Sequence, residues 1–285
     1  MLWHRPRVSL CIVIRNNEFD KNSTQKRNRP QVNMSVGGNH KVIIENNSVI
    51  GIGEVTLAGG IAVSNLLGGA SSEIVEIRNN HVENNRYGIT ATGGMEVLIE
   101  NNYLLNNNLE SNPMQGGSGI NITDANGNAV AMITGNHIEG HFWGVSIIGG
   151  KDINLGKIVD AKEGESNPGN NVFINNGCNG QLYDLYNNSA NTVYAQGNTW
   201  NVEVQDAEHI EQVVFHHNDD PSLGEVIFIP AKETVGVTDV NTSKQVAGVK
   251  YYNLAGVEGT KPFDGVNVVV TTYTDGTNAT TKVIK

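Results

Sequence analysis

The chain has 285 residues, 38% of them hydrophobic and only 17% charged, which leaves enough apolar surface for a core and too little charge for a coiled coil or a solvated disordered chain. Its 33 Gly and roughly 40 Asn make up about a quarter of the sequence, and because both favour turns over helix interiors they argue against a mainly helical protein. A formal charge of −10 offers no basic surface for nucleic acid, and no stretch reaches the roughly 18 apolar residues of a membrane span.

The N-terminal run MLWHRPRVSLCIVI places Arg5 and Arg7 before a short apolar segment with no small-residue cleavage site after it, so it reads as a strand rather than a signal peptide. It leads directly into a repeat unit, which creates the expectation of further coils and an export signal before Met1. Cys11 and Cys178 stand alone, far apart, outside any metal or redox motif.

A six-residue phrase then recurs at 14–19 (IRNNEF), 44–49 (IENNSV), 77–82 (IRNNHV), 99–104 (IENNYL) and 133–138 (ITGNHI), with looser copies at 168–173 (PGNNVF) and 195–200 (AQGNTW). Its second Asn falls at Asn17, Asn47, Asn80, Asn102, Asn136, Asn171 and Asn198, spacings that suit one supersecondary unit stacked on its neighbours. Alternation puts Ile12, Val42, Val75, Val97 and Ala131 on the same strand face as Ile14, Ile44, Ile77, Ile99 and Ile133. A second phrase, Gly followed by an alternating strand, begins at Gly60, Gly88, Gly119 and Gly144. Like residues stacked at about 4.8 Å would line a bore, with the Asn column forming an amide ladder in which each Asn also tolerates the bend. A β-sandwich gives no reason for one residue type at one place in every unit, and a propeller blade needs about 40–45 residues.

These phrases resemble the right-handed parallel β-helix proteins, the fold of pectate lyases and many surface proteins, over about residues 8–230. The resemblance implies an all-β chain: a right-handed, single-stranded parallel β-helix solenoid over 1–230, followed by a small antiparallel β-sandwich over 231–285. Segments 196–200 (QGNTW) and 219–226 (DDPSLGEV) resemble the closing segment of such helices, with a capping helix expected over 206–215 and a cap near 206–230. Beyond it, 249–257 (VKYYNLAGV), 262–267 (PFDGVN) and the terminal KVIK resemble the C-terminal sorting domains of Bacteroidetes. That resemblance implies type IX secretion, a secretion-machinery partner, and a secreted or outer-membrane-surface location. A plain sandwich tail or a carbohydrate-binding appendage is the alternative.

Similarity to pectate lyases also implies a test for chemistry. A lyase would need acidic residues holding Ca²⁺ and an Arg or Lys base, while an inverting hydrolase would need paired carboxylates. Neither constellation is legible, so no catalytic residue is assigned. Arg78, stacked between Glu45 and Glu100, reads as an exposed charge ladder. Arg86 and Tyr87 could contact a sugar. His81, Tyr103 and His137 fall in one outward column that could stack on a sugar ring, with His141 and Trp143 close behind. His137 and His141 would share a zinc-binding face only on a helix, and Ile138 sits in a strand column, so no metal is assigned. His216, His217, Asp219 and Asp220 read as turn residues, and Asp152, Asp160 and Asp184 as scattered acids. Two insertions, 105–118 and 149–170, are expected to gather on one side and shape a groove.

The expected function is an exported or surface-attached β-helix protein that recognises a glycan through a solenoid face, with no cofactor. The alternatives are a lyase or glycosidase acting on an acidic polysaccharide, with Ca²⁺ in the lyase case, and a non-enzymatic adhesin with a protein partner.

Overall fold

A computed structural model of the chain describes residues 10–22, 27–37, 40–66, 74–232, 246–253, 255–274 and 277–285. The chain divides into two compact units, 1–234 and 235–285.

The first unit is a right-handed parallel β-helix with three sheets, successive strands of the chain passing from one sheet to the next. The first sheet has eight strands: Leu10–Arg15, His40–Glu45, Val75–Arg78, Glu96–Glu100, Val130–Thr134, Asp152–Gly156, Val193–Ala195 and Val226–Ile227. The second sheet stacks six three-residue strands, running from Glu18–Asp20 through Ser48–Ile50, His81–Glu83, Tyr103–Leu105 and His137–Glu139 to Val172–Ile174. Seven strands form the third: Val32–Ser35, Ile61–Ser64, Ile89–Thr92, Ser118–Asp124, Trp143–Gly149, Leu185–Asn187 and Val214–Phe215. Register is in phase, so like residues meet: Ile44 pairs Ile77, Ile77 pairs Ile99, and Ile99 pairs Ile133. Those isoleucines are fully buried in the bore, as are Val49, Val82, Leu104, Ile138 and Phe173 of the second sheet. Removing this continuous apolar column from water is the main term holding the coils together. At the C-terminal end Phe173 stacks on Trp200 at 5.0 Å and 13°.

The two Asn of the repeat divide the work at the corner between the first and second sheets. The leading residue makes the bend in the left-handed region, with φ of 56° at Asn16, 54° at Asn46 and Asn79, and 53° at Asn101. Gly135 and Gly197 replace Asn there at φ 68° and 70°, where a residue without a Cβ is unstrained. The ladder Asn follows the bend instead of making it, which corrects the expectation that one residue does both. From Asn17 through Asn47, Asn80, Asn102, Asn136 and Asn171 to Asn198, each Nδ2 donates to the next Oδ1 over 2.9–3.0 Å. Each Oδ1 also accepts the backbone N–H of the same donor residue. A buried corner that cannot reach water thus satisfies its backbone through side chains.

A second ladder, absent from the sequence reading, runs along the corner between the second and third sheets. Gln31 Nε2 donates to Asn85 Oδ1, and Asn85 Nδ2 to Asn107 Oδ1. The Asn107 backbone N–H donates to His141 Nδ1, the His141 backbone N–H to Asn176 Oδ1, and Asn176 Nδ2 to Asp184 Oδ1. Bends with positive φ precede it at Asn84, Asn106, Gly140 and Asn175.

The glycines that open the third-sheet strands have a different cause. A Cβ on Gly60 would lie 2.4 Å from the Gly88 carbonyl oxygen, one on Gly88 2.4 Å from that of Gly119, and one on Gly144 2.4 Å from that of Asp184. Close approach of backbone between coils, not an unusual φ, requires glycine in this column.

Three expectations change here. Segment 149–170 is not a single insertion: Asp152–Gly156 is a first-sheet strand with Ile153 and Leu155 in the bore. The true excursion lies beyond it, between the first and second sheets, whereas 105–118 lies between the second and third, so the two do not share a corner. The helix expected over 206–215 shortens to Ala207–Ile210 and one 3₁₀ turn, Glu211–Val213. Val214–Phe215 and Val226–Ile227 instead extend the third and first sheets by a further rung, because β-branched valines pair readily in the available ladder.

In the second unit the described strands form one four-stranded antiparallel sheet, ordered Glu258–Gly259, Val246–Tyr252, Val266–Tyr273, Asn278–Ile284. Asn267, in the PFDGVN segment, is fully buried. Its Oδ1 accepts from Phe263 N, and its Nδ2 donates to the carbonyls of Phe263 and Gly265. The motif therefore pins the turn that enters the longest strand.

Candidate functional site

The outer face of the third sheet carries a groove of about 360 Å³. Its floor comes from outward positions in register on consecutive rungs: Thr90 pairs Asn121, and Asn121 pairs Ser146. Thr92 and Thr123 lie two residues further along their strands, on the same face. These side chains form one network. Thr90 Oγ1 and Thr123 Oγ1 donate to Asn121 Oδ1 over 3.0 and 2.7 Å, and Asn121 Nδ2 donates to Ser146 Oγ over 2.8 Å. The hydroxyls of Ser118 and Ser146 share a further bond of 2.8 Å.

Beyond the polar floor, on the later rungs, the face becomes aromatic. Trp143 packs on Tyr186 at 4.7 Å and on Tyr183 at 4.8 Å, and Tyr186 stacks on Phe215 at 4.7 Å and 16°. All four rings are partly exposed. Burial raises the Tyr186 phenol pKa, and the nearby carboxylates of Asp219 and Asp220 add to the shift.

One wall of the groove is the 105–118 excursion, held at both sides. Trp143 Nε1–H donates to the Pro113 carbonyl over 2.9 Å, and Arg86 Nε–H donates to the Gln115 carbonyl. The chain also bonds backbone to backbone, Gly117 N–H to the Arg86 carbonyl at 2.7 Å. The Arg86 guanidinium lies 5.9 Å from the centre of the Tyr87 ring. Tyr87 is largely buried, which pushes its phenol up to about 12. Met114, 86% exposed, forms the lip.

The residues singled out from sequence therefore separate. Arg86, Tyr87 and Trp143 line the groove. His81, Tyr103 and His137 stack as a column, with Tyr103 on His137 at 4.3 Å and 15°, but on the second sheet, a different face. There His81 Nε2 meets Glu83 at 2.9 Å and His137 Nε2 meets Glu139 at 2.7 Å. His141 is not a surface residue at all. It is 1% exposed, donates from Nε2 to the Leu104 carbonyl, and has its pKa lowered to about 3 by burial. The strand column at Ile138 already argues against a helix here, and it is the second ladder that takes His141 inward.

Arg78 binds Glu45 at 2.9 Å and Glu76 at 3.2 Å, so Glu76 on its own strand replaces Glu100 as its second ion-pair partner. Its pKa is raised, first by the Glu45 hydrogen bond, the opposite direction to the one a base needs. Asp184 is fully buried at the end of the second ladder, accepting from Asn176 Nδ2 and Asn201 N. Burial raises it to about 7 despite those donors. Among the described residues, no group of three His, Cys, Asp or Glu side chains could hold a metal ion.

Thr90, Asn121, Ser146, Tyr183 and Tyr186 were missed from sequence. A signal existed: the outward residue two places after Gly88, Gly119 and Gly144 is Thr, Asn and Ser in turn, and the next rung carries the YDLYNN segment.

A family model described as the right handed beta helix region matches residues 8–131. With the three parallel sheets, it defines a β-helix repeat protein. No curated protein and no solved structure matches the chain.

Proposed function

We propose that this β-helix recognises a glycan through the third-sheet groove. The observation that carries the reading is the juxtaposition, on one face, of a hydrogen-bonded polar floor and an aromatic platform of Trp143, Tyr183 and Tyr186. Sugar rings present hydroxyl edges and apolar C–H faces, and such a surface meets both. Binding is favoured over cleavage because, among the described residues, no carboxylate lines the groove to supply the paired acids of a glycosidase. Among the described lining residues the one charged side chain, Arg86, is engaged with the Gln115 carbonyl. Resemblance of the last 55 residues to sorting domains supports export to the cell surface, where polysaccharides are met.

A glycan array probed with the whole chain tests the reading. Retention without release of fragments, lost in Tyr186→Leu, is the expected result. Release of unsaturated or reducing-end products would move the reading to an enzyme.

A further inference from the structure

We infer, resting on the reading of the groove as a glycan site, that its ligand is a linear, uncharged, hydroxyl-rich glycan lying along the solenoid axis, not an acidic polysaccharide. Direction follows from the lattice of rungs. Thr90, Asn121, Ser146, Tyr186 and Phe215 occupy one outward column on five consecutive rungs, which at the strand spacing spans about 19 Å. The wall built by Pro113–Gly116 closes one side of this channel, so an extended chain is guided across the strands rather than along them.

Ligand chemistry follows from how the floor is satisfied. The protons of Thr90 and Thr123 are already donated to Asn121 Oδ1, and one Asn121 amide proton goes to Ser146. What the floor still offers is hydroxyl lone pairs, one Asn121 N–H, the Thr92 hydroxyl proton and one proton of the Ser118–Ser146 pair, a mixture of acceptors and donors. A sugar hydroxyl can donate to the former and accept from the latter. A carboxylate only accepts, so it would leave the floor's lone pairs without a donor.

Charge points the same way. A polyuronate carries a negative charge on every unit, whereas among the described lining residues Arg86 is the one cation, its Nε committed to Gln115. Asp219 and Asp220 flank the aromatic end closely enough to act on Tyr186, and the chain carries −10 overall. Among the described lining residues there is no carboxylate to bridge an acidic sugar through a divalent cation.

The test is calorimetric titration of the whole chain with neutral oligosaccharides of increasing length from the cellulose, xylan and mannan series, and with oligogalacturonate, each with CaCl₂ and with EGTA. At least one neutral series should bind, tightening with length until the chain spans the five rungs. Asn121→Ala and Tyr186→Leu should each weaken it about tenfold or more, with the fold checked by circular dichroism. Oligogalacturonate should bind at least about tenfold more weakly, with no gain from calcium. Tighter or calcium-dependent oligogalacturonate binding that is lost in Tyr186→Leu would overturn the neutral assignment and leave the glycan groove standing. Binding of no glycan, or neutral binding indifferent to both substitutions, would overturn the groove itself.

Discussion

The Asn107 backbone N–H donates to His141 Nδ1 across one coil boundary, at 3.2 Å. In the neighbouring rung the same bond is made by an amide, Asn85 N–H to Asn107 Oδ1 at 3.1 Å. The imidazole stands in for an asparagine: Nδ1 takes the place of the amide oxygen, and Nε2–H, donating to the Leu104 carbonyl, takes the place of the amide N–H. His141→Asn should therefore be tolerated, with a stability change within about 1 kcal/mol. His141→Ala leaves a buried N–H and a buried carbonyl unpaired beside a cavity, and should cost about 2–4 kcal/mol. Chemical denaturation of both variants checks this, and equal losses would disprove the equivalence.

Stability should respond to pH in opposite senses at two members of this ladder, His141 within it and Asp184 at its end. His141 falls from 6.5 to about 3 on folding because burial disfavours the imidazolium. The unfolded chain binds its proton first, so this stability is lost as pH drops from about 6.5 towards 3. Asp184 rises from 3.8 to about 7. The folded chain keeps a proton that the unfolded chain releases, so stability declines as pH climbs from about 4 to 7. Asp184→Asn should leave a profile that rises between pH 4 and 6.5, and His141→Asn one that falls up to about pH 7. Melting curves for the two variants that both superimpose in shape on the parent would refute the assignment.

Position along the first ladder should decide the cost of losing an amide. Asn102 is 1% exposed and links Asn80, Ile77 and Asn136, so Asn102→Ala strands several buried groups. The expected loss is about 3 kcal/mol or more. Asn17 is exposed, and among the described residues its side chain bonds forward to Asn47 and locally to Arg15, so Asn17→Ala should lose less than about 1 kcal/mol. Urea titrations distinguish the pair.

The glycine column makes a further prediction about volume. Gly88→Ala would set a methyl group 2.4 Å from the Gly119 carbonyl oxygen, and neither backbone can retreat without spreading the coils. A loss of about 1–3 kcal/mol or more is expected. Gly127→Ala, where the nearest atom is 3.9 Å away, carries only the cost of its φ of 66° and should lose about 1–2 kcal/mol. Gly127→Asn, which tolerates that φ, should recover most of this, while Gly88→Asn should recover nothing.

Much of the solenoid was readable because its signal is repetition. Ile44, Ile77, Ile99 and Ile133 recur at one place in the phrase, and stacking like on like is the arrangement that buries every copy. The second ladder was harder to see because chemistry, not residue type, repeats there: Gln31, Asn85, His141 and Asp184 each supply hydrogen-bonding groups at one corner. The strand at Asp152–Gly156 hid inside an apparent insertion because it lacks the Asn phrase.

Local sequence by itself determined which residues bend, which pair and which face the bore, since left-handed φ, alternation and apolar burial act within a few residues of each position. Which outward residues meet was decided only by closure of the coils. Thr90, Asn121, Ser146 and Tyr186 lie 25 to 40 positions apart in the chain, and only the register of the third sheet puts them on one line. Likewise, the 105–118 excursion became a groove wall through its bonds to Trp143 and Arg86, contacts between residues that no local preference brings together.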